Sequence, residues 1–100
     1  MGTNTFGSPG TELVTADGII GRSGKPVRVY HLHIISGAGA GTVTLRNGTV
    51  VGDTAWLAET GTLGAGESFS YDEGFLLPAG CFVDVDANVT SVAVSFHTEN

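Results

Sequence analysis

Residues 27–35, with the sequence VRVYHLHII, decide the fold of this chain. Apolar and polar residues alternate along the first part of this stretch, which is the period-two pattern of a half-buried β-strand. Its second half carries apolar residues on both faces, so we expect this strand to be buried on both sides, in the middle of a packed assembly. The rest of the chain from residue 11 onward keeps the period of two and never shows the period of a helix.

Short alternating segments separated by turn signals follow this strand. The segment TVTLR at residues 42–46 leads into Asn47-Gly48, the dipeptide typical of a two-residue type I′ hairpin, with residues 49–51 as the return strand. About eight strands with turns roughly every 8–12 residues indicate an all-β protein. We therefore predict a compact antiparallel β-sandwich, jelly-roll-like, as a single domain over residues 11–100, preceded by a flexible N-terminal arm at residues 1–10.

The chain has few charged residues and a negative net charge. The 100 residues include 10 acidic and 4 basic side chains, which gives a net charge of −6. So few basic residues cannot neutralise many phosphates, and we expect neither nucleic acid nor a membrane as a partner. A domain of this size with so little charge is marginal alone, so we expect other protein to cover part of its surface. Because no basic and apolar leader opens the chain and Cys81 is its only cysteine, we predict a soluble protein made in a reducing compartment.

Two histidines are the first candidates for chemistry, because residues two apart on a strand share a face. His31 and His33 could bind a metal ion if Glu59 or His97 supplied a third ligand, but hydrogen-bonded histidines at a protein interface are the more common case. We therefore predict no metal site, no cofactor and no catalytic residue. The residues assigned to an oligomer interface are Tyr30, His31, His33 and Ile35.

Two further groups of side chains allow both a functional and a structural interpretation. Asp84 and Asp86 share a strand face and could hold Ca²⁺, although no known calcium-loop spacing surrounds them, which favours two solvated acids. Four aromatic residues could form a platform for stacking a sugar, or could fill a core or a subunit interface. These residues are Trp56, Phe69, Tyr71 and Phe75.

The stretch from residue 29 to residue 96 resembles small virion proteins of tailed bacteriophages. The resemblance lies in VYHLHIISGAGAGTVTLRNGT at residues 29–49 and in FLLPAGCFVDVDANVTSVAVSF at residues 75–96. It implies a capsid decoration (cement) protein, a compact β-sandwich or jelly roll that is often trimeric and binds the major capsid protein. In such proteins an N-terminal segment commonly reaches onto the shell or a neighbour, which would make Phe6 and Pro9 attachment residues here.

The resemblance therefore predicts a non-enzymatic phage structural protein, made in the host cytoplasm, that binds the outer capsid surface as a homotrimer and stabilises the shell. Two alternatives stay open. One is a head-fibre or tail-associated module that binds a receptor or a carbohydrate, and its mark would be an exposed aromatic cluster. The other is a cupin-like metal enzyme, which would need a third ligand beside His31 and His33.

Overall fold

Eight β-strands form where apolar and polar residues alternate in the sequence. The computed structural model describes residues 10–99, and these contain no helix and thus none long and apolar enough to cross a membrane. The strands are β1 (Gly10–Val14), β2 (Gly18–Ile20), β3 (Val27–Ser36), β4 (Thr42–Asn47), β5 (Ala55–Thr60), β6 (Gly66–Leu77), β7 (Cys81–Val85) and β8 (Val89–Thr98). The predicted all-β class is confirmed.

The strands form two four-stranded antiparallel sheets. Sheet A has the order β1-β8-β3-β6, and sheet B has the order β2-β7-β4-β5. Every connection passes from one sheet to the other except the connection between β4 and β5. This strand order is that of an eight-stranded jelly roll, in which the chain alternates between two packed sheets. The predicted jelly-roll-like sandwich is therefore confirmed.

One side of each sheet forms the core between them. On β3, Val27, Val29, Leu32 and Ile34 are fully buried, and Phe96 on β8 is the largest of the fully buried side chains. The other buried apolar residues of this cluster are Val14, Ile20, Val43, Leu45, Leu77, Cys81, Val83, Val89, Val92 and Val94. Because successive side chains of a strand point to opposite faces, the residues between these form the two outer faces of the sandwich.

The connection between β4 and β5 is not the predicted two-residue hairpin. Within residues 10–99 no residue other than glycine has a positive φ, so Asn47 does not adopt the conformation that a type I′ turn requires. The Asp53 carboxylate accepts hydrogen bonds from the backbone amides of Thr49 and Val50, at 2.8 and 3.1 Å. These bonds stabilise a wider loop over residues 48–54, and the predicted return strand is wrong for that reason.

The loops gather at opposite ends of the sandwich. At one end the Gly37 amide donates to the Asn88 carbonyl at 2.8 Å, and the Gly64 amide donates to the Gly37 carbonyl at 3.1 Å. At the other end the side-chain oxygen of Asn47 accepts a hydrogen bond from the Ala79 amide at 2.8 Å. The loop over residues 48–54 and the loop around Gly64 are therefore at different ends of the molecule.

Candidate interaction surfaces

A β-bulge in β3 determines which side chains reach the outer face of sheet A. The pairing of β3 with β8 shifts between Val29 and His31, so Tyr30 is an extra residue in β3. Val29 and Leu32 are both fully buried, and Tyr30 and His31 between them therefore lie together on the outer side. The four residues assigned to an interface from the sequence, Tyr30, His31, His33 and Ile35, share this face.

Uncharged side chains surround the two histidines, and we call this surface the serine–histidine face. Two rows of paired residues define it, each crossing sheet A in the order β1, β8, β3, β6. The rows are Thr11, Ser95, His31, Ser70 and Leu13, Ala93, His33, Ser68. None of these side chains carries a carboxylate, an ammonium or a guanidinium group. Tyr30 lies at the border of this face, because it packs with Arg28 over Gly74.

The polar side chains of the serine–histidine face are hydrogen-bonded to one another. The paired atoms are His31 Nδ1 and Ser70 Oγ at 3.0 Å, His33 Nδ1 and Ser68 Oγ at 2.8 Å, and Thr11 Oγ1 and Ser95 Oγ at 3.0 Å. Each imidazole is therefore held toward β6 by the serine of its own row. Another molecule can therefore cover the hydroxyl groups of these serines and of Thr11 without leaving them without a partner.

Within residues 10–99, the structure does not bring a third metal ligand to His31 and His33. Glu59 belongs to β5 of sheet B, and its carboxylate accepts a hydrogen bond from the Tyr71 hydroxyl at 2.8 Å. His97 lies on β8 outside the two rows. In the part of the chain that the structure describes, no group of three His, Cys, Asp or Glu side chains is placed to hold a metal ion.

The carboxylates of Asp84 and Asp86, which were considered as calcium ligands, accept hydrogen bonds from other groups of the chain. Arg46 donates from Nε and Nη2 to Oδ2 of Asp84, at 3.1 and 2.9 Å. Asp86 accepts from the backbone amides of Thr42 and Asn88, each at 2.9 Å. Asp84 therefore neutralises a guanidinium group, and Asp86 fixes the backbone at the end of β7.

The four aromatic residues considered as a sugar platform do not form one surface. Phe69, Tyr71 and Phe75 on β6 pack against the core, and the ring centroids of Tyr71 and Phe75 are 6.3 Å apart. Burial raises the pKa of Tyr71 above its ordinary 10.0, and the hydrogen bond to Glu59 acts in the same direction. Trp56 remains outside, with 45% of its surface exposed.

Trp56 belongs to an apolar patch on the outer face of sheet B. Across sheet B, Ile19 of β2 pairs with Phe82 of β7, and Phe82 pairs with Arg46 of β4. On its other side, Arg46 faces the bulge of β5 that contains Trp56. The adjoining loop over residues 48–54 adds two valines that are more than half exposed. We call this surface the apolar patch, and it consists of Ile19, Val50, Val51, Trp56 and Phe82.

The charge of Arg46 beside the apolar patch is compensated. Arg46 and Asp84 form an ion pair at 2.9 Å, and only 24% and 23% of their side chains are exposed. Arg46 Nη1 also donates to the carbonyl oxygen of Asp53 at 3.1 Å. Apolar side chains therefore surround an ion pair with no net charge, which is a surface suited to contact with another protein.

The remaining predicted site residues, Phe6 and Pro9, lie outside the described residues. Comparison of the chain with known protein families, with curated proteins and with solved structures found no match. The resemblance to phage virion proteins therefore depends on the sequence pattern alone.

Proposed function

We propose that this protein is a non-enzymatic structural component of a bacteriophage virion that binds the outer capsid shell as a homotrimer and stabilises it. The sequence pattern of residues 29–96 supports this proposal, and so does the jelly-roll strand order, an architecture that viral capsid domains share with lectins and cupins. Because one fold serves many functions, the proposal also needs a surface suited to binding a shell.

The observation that carries the proposal is the apolar patch on sheet B. Exposed apolar side chains gathered on one surface are typical of a site where another protein binds, and tryptophan is among the residues that contribute most to such contacts. Trp56 lies within this patch, and the ion pair of Arg46 and Asp84 beside it adds no net charge. An acidic protein can therefore present this surface to another protein without strong repulsion.

Binding alone is sufficient to stabilise a shell. A protein that binds the assembled shell and not its separated subunits favours assembly by mass action. When several copies are joined in one oligomer, their individual contacts combine through a high effective concentration, so a modest contact per copy suffices. The mechanism needs no chemical step.

The first test of the proposal replaces Trp56 by alanine. We expect this variant to bind purified capsids that lack the protein at least about tenfold more weakly, because a central interface tryptophan often contributes about 2 kcal/mol or more. Co-sedimentation with capsids at increasing protein concentration measures the effect. The matched control is Leu63→Ala, which removes another exposed apolar side chain in the loop at the opposite end. Equal binding of the two variants would contradict the proposal.

A second test removes residues 1–9. Phe6 is the one large apolar residue between Met1 and Leu13, and burial of a phenylalanine side chain contributes about 1.5–3 kcal/mol. We expect the truncated protein to keep its circular dichroism spectrum and to bind capsids more weakly. Capsid affinity equal to that of the full chain would show that Phe6 and Pro9 take no part in attachment.

A further inference from the structure

We propose that copies of this chain associate with one another through the serine–histidine face of sheet A. Self-association is part of the proposed function, and this inference identifies the surface that carries it. The occupant of the face is a second copy of the same chain. Three observations support this occupant, namely the distribution of charge, the hydrogen bonds of the face and its area.

The distribution of charge favours this face for contact between copies. The chain has 10 acidic and 4 basic side chains, so two copies repel each other wherever their acidic surfaces meet. The two rows that define the serine–histidine face contain no acidic or basic side chain other than histidine. The nearest charged side chain of β3, Arg28, lies outside these rows and forms an ion pair with Glu99 at 2.6 Å. Identical acidic chains can therefore approach closely at the serine–histidine face.

The hydrogen bonds of the face lower the cost of covering it. Burial of a polar group is unfavourable when the group loses water and gains no partner. Here Ser68, Ser70 and Ser95 already have partners among the side chains of the same face. A second copy can therefore displace water from these serines without leaving their hydroxyl groups unpaired.

The outer face of sheet A, of which the serine–histidine face is the uncharged part, approaches the size that a specific contact between copies needs. Four strands about 4.8 Å apart and the ten residues of β3 give the whole outer face of sheet A an area of no more than roughly 600 Å² before its pleating is counted, because β1 has only five residues. A specific interface buries about 800 Å² of accessible surface on each partner. Leu13 within the serine–histidine face and Ile35 beside it, with 65% and 40% of their surface exposed, supply apolar area for this contact.

The test introduces a charge at the centre of the face and measures self-association of the isolated protein. Ser95→Arg places a guanidinium group on β8 between Thr11 and His31. The matched control is Ala58→Arg, which adds the same group to an exposed position of β5 in sheet B. We expect Ser95→Arg to weaken self-association at least about tenfold in sedimentation equilibrium, and Ala58→Arg to behave as the unmodified protein does.

A second variant tests the same face independently, in case Ser95→Arg does not fold. Leu13→Arg changes an exposed position of the edge strand β1, and we expect the same loss of self-association with an unchanged circular dichroism spectrum. The inference is overturned if the unmodified protein is monomeric at every concentration, or if both arginine variants in sheet A associate as it does. Capsid co-sedimentation separates the two proposals: association through this face without capsid binding would overturn the proposed function alone.

Discussion

Replacement of Phe96 by alanine is expected to lower the free energy of unfolding by about 3–5 kcal/mol. Phe96 is 1% exposed and is the largest fully buried side chain of the core, so its removal leaves a cavity between the two sheets. Small domains are stable by only about 5–15 kcal/mol in total. Urea unfolding followed by circular dichroism measures the loss.

The control for this change is Thr90→Ala on the same strand, where the side chain is exposed. A surface substitution of this kind changes stability by no more than about 0.5 kcal/mol. If Phe96→Ala lost no more stability than Thr90→Ala, the packing of the two sheets described above would be wrong.

Raising the pH from 9 to 11 is expected to lower the free energy of unfolding by about 2 kcal/mol through Cys81 alone. Burial raises the pKa of the Cys81 thiol from 9.0 to about 12. Between these two values the unfolded chain releases the thiol proton while the folded chain keeps it, so rising pH favours the unfolded state. Urea unfolding at a series of pH values from 8 to 11 measures this loss.

The variants Cys81→Ala and Tyr71→Phe separate the groups that titrate in this range. Cys81→Ala should be less stable at pH 7 but should lose less stability between pH 9 and 11. The pKa of Tyr71 is also raised, first by burial, and the double variant should therefore show a still flatter profile. A profile of Cys81→Ala as steep as that of the unmodified protein would contradict the burial of this thiol.

The strands could be predicted from the sequence because their period is local. Alternation of apolar and polar residues placed the longest predicted strand at residues 27–35, and β3 is Val27–Ser36. The bulge in β3 could not be predicted in this way, since strict alternation would put Tyr30 and His31 on opposite faces. The extra residue depends on the register with β8, which is a tertiary property.

The turn after β4 shows a different limit of local sequence patterns. Asn47-Gly48 favours a type I′ hairpin, yet the Asn47 side chain accepts a hydrogen bond from Ala79 in another loop. The Asp53 carboxylate accepts hydrogen bonds from two backbone amides of the wider loop. These contacts outweigh the preference of a dipeptide, and no pattern within residues 42–51 indicates them.

The apolar patch could not be predicted from the sequence because its side chains come from distant parts of the chain. Ile19, Phe82 and Trp56 lie on β2, β7 and β5, which the strand order of sheet B brings together. The sequence alone groups Trp56 with the aromatic residues of β6. The sheet order instead packs those rings against the core, partly buried, and leaves Trp56 on the outer face.

The copy number of this protein in purified virions tests the central claim most directly. Quantitative mass spectrometry can compare it with the major capsid protein of the same particles, both in whole virions and in heads separated from tails. A shell-binding protein is predicted to be present on the heads, in a fixed ratio to the capsid subunits. Its absence from virions, or its confinement to the tail or to a single vertex, would contradict the proposed function.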